Sequence, residues 1–103
     1  MIARVWYGAT PVAKGDDYAK YLERTGVQEC RSTPGNRGVQ VLRRDVEGRS
    51  EFVFISYWEN LEVVHGFAGP DINRAVYFPE DKDFLVEMRP HIEHYEVVRD
   101  LRA

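Results

Sequence analysis

An α+β sandwich, four antiparallel strands and two helices in the order βαββαβ, is what this sequence predicts, on three observations. The first is Glu51 to Trp58, where Phe52, Phe54 and Trp58 alternate with Val53, Ile55 and Tyr57, making both faces of one strand apolar. The second is a series of turn and cap signals that cuts the chain into strand-like and helix-like segments. The third is length: in 103 residues the helices cover one side of a sheet, so a second copy must cover the other. A single domain over residues 1–103, paired as a homodimer through its open sheet face, is therefore expected.

Ile2 to Tyr7 alternates and is rich in branched and aromatic types, which predicts the first strand. Thr10 and Pro11 predict a helix opening, the hydroxyl capping free amides and the proline losing nothing at the first helical position. That helix runs to about Thr25 with Tyr18, Tyr21 and Leu22 on one face. Gly26 offers a left-handed exit, and Gly15 is a local weakness. A loop with Pro34, Gly35 and Gly38 leads to a second strand, Val39 to Arg44; Glu47 and Gly48 turn the chain into a third, Ser50 to Trp58. Asn60 caps a second helix, Leu61 to Ala68, closed by Gly69 and Pro70. Ile72 to Tyr77 and Phe84 to Met88 are read as further helical turns around an acidic segment opened by Pro79, and His91 to Val98 is the last strand. Two such split units form a ferredoxin-like sheet with helices on one face. Phe52, Phe54, Trp58 and Trp6 are expected on the face left open. Burying each such aromatic contributes about 1.5 to 3 kcal/mol, enough to drive two sheets together into a dimeric α+β barrel.

Composition narrows the function by exclusion. With 44% hydrophobic and 30% charged residues, the chain is an ordinary globular domain rather than a disordered one. Its net charge of −3 comes from interspersed acids and bases, so no single-sign face is offered to nucleic acid. Arg43 and Arg44, the densest basic pair, read as solvated residues guarding a strand edge. The longest apolar runs fall far short of the roughly 20 residues of a membrane span, and the opening strand lacks the blocks of a signal peptide, so a cytoplasmic location away from membranes is expected. Cys30 stands alone and reads as a packing residue near a helix end.

Three segments carry a family resemblance: the opening Ile2-Ala3-Arg4-Val5-Trp6, the run Ser56-Tyr57-Trp58-Glu59-Asn60 into Leu61-Glu62, and the closing His94-Tyr95-Glu96-Val97. The chain resembles the antibiotic biosynthesis monooxygenase family of dimeric α+β barrels across nearly its whole length. The resemblance implies a homodimer with a pocket between sheet and helices in each subunit. Some members oxidise phenolic, quinol or polyketide-like aromatics with dioxygen and no cofactor, others bind and degrade haem, and many have no assigned activity. Beside the enzymatic reading stand non-catalytic binding of a small apolar molecule in a ligand-binding or stress-related dimer and, after these, haem binding or a purely structural role. With the haem-degrading branch the chain shares a tryptophan at the end of the third strand, Trp58, but it departs in lacking an asparagine in its first strand and in carrying Ala68 near where a histidine would stand.

Oxygenation without a cofactor needs an electron-rich substrate, because ground-state dioxygen reacts slowly with closed-shell molecules and a phenolate gives up an electron more readily than a phenol. The protein must supply a base, a donor for the anion and a dry pocket. His65 and His94 are the candidate bases, Arg4 the candidate donor, and Trp6, Phe54, Trp58 and Tyr77 the candidate walls; no cofactor or metal is expected. Each has a plainer structural reading beside it. Arg4 shares a strand face with Ile2 and Trp6, so if Trp6 points inward Arg4 is inside as well, where Glu96 on the neighbouring strand would make it one half of an ion pair. His94 can be a hydrogen-bonded structural imidazole, and His65 an exposed one. Trp58 can be core, and Tyr77 a seal at the core edge. His91 and His94 fall on opposite strand faces, which argues against a shared metal.

Overall fold

The computed structural model describes residues 1–102. Strand β1 (Ile2–Pro11) is followed by a helical run, then β2 (Asn36–Val46), β3 (Arg49–Trp58), helix α3 (Leu61–Ala68), a short helix α4 (Asp81–Phe84), β4 (Glu87–Met88) and β5 (Glu93–Glu96). The helical run contains α1 (Gly15–Leu22) and α2 (Gln28–Ser32), joined by a π-helical turn over Glu23–Val27. The sheet is antiparallel in the order β2-β3-β1, with β4 and β5 sharing the fourth position along β1. This is the predicted ferredoxin-like arrangement, its last strand broken in two.

Register decides which side chains the helices cover. Opposite β1, Ile2 pairs with Trp58, Arg4 with Ser56, Trp6 with Phe54 and Gly8 with Phe52, which puts all of them on one face. That face is the helix-covered one: Trp58 and Phe52 are fully buried in a core with Tyr18, Leu22, Cys30 and Val64, and Trp6 packs against it. The expectation that Phe52, Phe54, Trp58 and Trp6 line the open face is therefore corrected. Strand alternation leaves Val5, Tyr7, Val53, Ile55 and Tyr57 on the other face, all half-buried, with Leu42 exposed beside them.

Several boundaries differ from expectation for identifiable reasons. Thr10 and Pro11 extend β1, paired with Ser50 and Arg49, and the Thr10 hydroxyl donates to the Pro11 carbonyl at 2.9 Å instead of capping a helix. The helix does not exit at Gly26 but continues to Ser32; a Cβ there would stand 3.2 Å from Phe54 Cε2, so glycine serves close approach to the sheet. Gly15 likewise admits the Arg43 guanidinium and the Ser50 hydroxyl, which a Cβ would meet at 2.3 and 2.4 Å. Helix α3 matches its prediction, with Asn60 Oδ1 accepting from the Val63 amide at 3.1 Å and Gly69 ending it at φ 79°. Residues 70–79 form an irregular strap rather than a helical turn, tied by the Arg74–His91 bridge. Phe84 to Met88 splits between the end of α4 and β4, and the final strand shortens to Glu93–Glu96.

Candidate functional site

A cavity lies between the covered face of the sheet and the helical layer. Its floor is Arg4, Trp6, Phe54 and Ser56; Tyr18, Leu22, Gly26 and Cys30 from the helical run and Phe67 from α3 form the walls. Val76 and Phe78 of the strap and Asp81 of α4 complete it. Its free volume is about 40 Å³, room for very few water-sized molecules and far below the roughly 300 to 1,000 Å³ of a pocket that holds a drug-sized ligand. The lining is overwhelmingly apolar, so any charge facing it goes largely unscreened.

Arg4 is that charge. Only 3% exposed, it donates from Nη1 to the Ile72 carbonyl and from Nη2 to the Arg74 carbonyl at 2.8 Å, both on the strap. A further Nη1 contact reaches His94 Nε2 at 3.1 Å. Guanidinium cannot accept, so Nε2 must, which puts the imidazole proton on Nδ1. Burial, helped by the Arg4 charge, pushes the His94 pKa below its ordinary value. Burial holds Arg4 itself at about 10, with nearby Cys30 opposing the shift. Every ion pair among the described residues belongs to another arginine. The expected Glu96 partner sits opposite Ile2 and makes no ion pair with Arg4, which corrects that reading.

At the other end of the cavity, Asp81 is 3% exposed and equally without a cation. The Tyr18 hydroxyl donates to its Oδ1 at 2.8 Å and the Phe78 amide to its Oδ2 at 2.6 Å. Burial raises the Asp81 pKa against those two donors, and burial together with Asp81 raises that of Tyr18. Tyr18 packs edge-on to Phe52, four residues along β3 from the Ser56 level of Arg4, so the two ends lie roughly 13 Å apart along the strand. Between them the Trp6 indole stacks near Tyr18, and its Nε1 is buried without a partner. Burial pushes the Cys30 thiol up to about 12, opposed by a hydrogen bond with Ser56, so the thiol stays protonated near neutral pH.

Of the candidates named from sequence, Arg4, Trp6 and Phe54 line the cavity. His94 touches it only through Arg4. Tyr77 stands behind Trp6, ring centroids 6.1 Å apart, with its hydroxyl on the Arg89 carbonyl. Trp58 is fully buried, donating to the Ser56 hydroxyl at 2.9 Å and stacking on Phe67. His65 is exposed at the end of α3, its Nδ1 2.8 Å from the Gly69 carbonyl and outside the lining. Sequence reasoning missed Asp81 and Tyr18. Asp81 reads in sequence only as a helix-start acid after Pro79, and nothing local announces its contact 63 residues away.

A four-position antiparallel sheet with helices on one face, enclosing an apolar pocket walled by aromatic rings, defines a small ferredoxin-like α+β domain. The antibiotic biosynthesis monooxygenase model matches residues 5–71, more than half of the chain, and the chain belongs to that family. Among solved structures it is similar to a candidate antibiotic biosynthesis monooxygenase from Nitrosomonas europaea, with 17% identity, TM-score 0.67, and 96% of this chain and 100% of that one covered. It is also similar to the haem degrader MhuD of Mycobacterium tuberculosis with two haems in its active site, at 22% identity and TM-score 0.66, covering 99% of this chain and 100% of that one. A point variant of MhuD with two manganese protoporphyrin IX molecules per active site matches at 19% identity and TM-score 0.66, with both chains fully covered. At these identities the likeness shows the fold alone. No curated protein matches the chain. No helix among the described residues is long and apolar enough to cross a membrane.

Proposed function

We propose that the protein is a homodimeric monooxygenase that oxidises a small phenol or quinol with dioxygen and no cofactor. The observation that carries this reading is a buried guanidinium without a carboxylate, facing a dry cavity walled by aromatic rings. Arg4 would stabilise the phenolate, which transfers an electron to dioxygen; recombination and loss of water place one oxygen atom in the substrate and the other in water. For a phenol the balance is phenol plus dioxygen giving quinone plus water. Asp81, the carboxylate on the cavity wall, would take a proton from the end of the substrate away from Arg4, where a quinol presents its second hydroxyl. Each of its oxygens keeps a lone pair beside the Tyr18 and Phe78 donors, whereas the single His94 Nε2 lone pair already accepts from Arg4 and His65 stands outside. His94 then positions Arg4 rather than acting on substrate. The half-buried apolar face supports pairing of two sheets, as the family likeness does.

The test is oxygen uptake with a panel of phenols and hydroquinones, compared between wild type, Arg4→Gln and Asp81→Asn. Uptake lost in both variants and kept in His65→Ala fits the assignment, whereas no uptake by the wild type removes it. Retention of a small molecule in native mass spectrometry without turnover would make the protein a ligand binder. The absence of an imidazole from the cavity lining speaks against haem; a Soret band on haem titration would reverse that.

A further inference from the structure

The two polar anchors of the strap on β1 are the same guanidinium that faces the cavity. Arg4 holds the carbonyls of Ile72 and Arg74, while Val76 and Phe78, a few residues on, form part of the cavity wall. The Ala75 amide to the Pro90 carbonyl at 2.9 Å, the Ile92 amide to the Asn73 carbonyl at 3.1 Å and the Tyr77 hydroxyl to the Arg89 carbonyl at 2.6 Å reach the irregular link between β4 and β5, and the Phe78 amide reaches Asp81 of α4 at 2.6 Å; none of these partners is in a strand. Gly69, at φ 79°, and Pro70 stand at one end of the strap and Pro79 at the other. These are positions where the chain changes direction without a ladder to hold it.

Two further facts bear on this. The cavity, at about 40 Å³, is too small to admit an aromatic ring as it stands, so a ligand enters only if a wall moves. Carbonyls are neutral acceptors, and a buried cation binds a carboxylate or phenolate more strongly than it binds a carbonyl. Arg4 Nε and one Nη2 proton have no protein acceptor among the described residues, so an anion has donors waiting before the carbonyls are given up.

We propose that Arg4 is an exchangeable latch: in the empty protein it closes the strap over the cavity through two carbonyls, and an aromatic anion that takes its donors releases the strap. This rests on the assignment of the cavity as the substrate site and adds what opens it. The ligand class is a single aromatic ring whose oxygen group is anionic or becomes so by giving up its proton, a carboxylate or a phenol passing to phenolate; a ring of the same shape that cannot carry that charge, such as an amide, does not open the site.

Benzoate and benzamide separate the two cases, being alike in shape and different in charge. Hydrogen–deuterium exchange of residues 72–78 is followed by mass spectrometry with each compound at millimolar concentration, beside tryptophan fluorescence, to which Trp6 on the cavity floor and buried Trp58 both contribute. With benzoate the strap amides exchange about tenfold faster and the fluorescence changes, as expected when charge-assisted hydrogen bonds to the strap are lost; with benzamide neither moves. Arg4→Gln without ligand shows the same fast strap exchange and no response to benzoate, its melting transition reporting that it is folded. Should that variant not fold, Arg4→Lys, which keeps a charge but not the two-carbonyl fork, serves with the same expectation of fast strap exchange. Slower or unchanged strap exchange with benzoate, or an equal response to benzamide, overturns the latch. Because no readout depends on turnover, the latch can fail while oxygen uptake is seen, and the reverse.

Discussion

The two faces of one sheet meet opposite fates. On the covered face, Phe52, Phe54 and Trp58 are sealed by the helical run and α3; on the other, Val53, Ile55 and Tyr57, their neighbours in the same strand, remain half-buried. Polar groups divide unevenly too. Arg4, Ser50, Ser56 and Asp81 are buried on the helix side, while Tyr7, Glu51, Arg44, Arg49, Glu87 and Arg89 form a linked surface network on the open side at the Ala9 end. A site needs unsatisfied chemistry in a dry place; an interface needs apolar area with its charges already paired. The sheet separates these requirements by strand parity alone.

Phe52→Ala breaks the comparison most severely. Removing a fully buried ring from the covered face costs about 3 to 5 kcal/mol, read as a lower urea midpoint. With the pairing proposed above, Ile55→Asp on the open face has the opposite signature: the fold holds, but the light-scattering mass, expected at about twice 12.0 kDa for wild type, falls to one subunit as a charge enters the apolar patch. If Ile55→Asp leaves the mass unchanged, pairing does not use this face.

Strand order, the α3 cap at Asn60 and the hairpin at Glu47-Gly48 were legible because each is a local signal with a local cause. Which face met the helices was not. Both faces of β3 are apolar, so periodicity could not rank them; the choice was made by tertiary packing of Tyr18, Leu22 and Gly26 onto Phe52 and Phe54. In the site, parity tied Arg4 to the face of Trp6 without saying which face the helices cover, and its partners on the strap lie 68 and 70 residues away in a segment without periodicity. Asp81 escaped for the same reason.

Gly26→Ala sharpens the account of the helical run. Its Cβ would press on the Phe54 ring at 3.2 Å, and the cost expected is about 1 to 3 kcal/mol, with a perturbed cavity wall. A neutral effect would mean that the π-helical turn yields easily and that glycine is not required for close approach.

The smallest effect probes the contact between Arg4 and His94. In the unfolded chain His94 titrates near 6.5, whereas in the fold burial and the Arg4 charge depress its pKa, so between the two values the unfolded state binds the extra proton. The contribution of neutral His94 is therefore complete above about pH 6.5 and is lost as pH falls through the lower, folded value. His94→Gln keeps an acceptor for Arg4 and removes the titration. Urea midpoints of wild type and variant, compared at pH 7.5 and 5, should differ in slope, wild type losing more on acidification. His65 and His91 are common to both proteins and cancel. Parallel slopes would mean that His94 does not lend its lone pair to Arg4, and the reason for excluding it as the base would go with that contact.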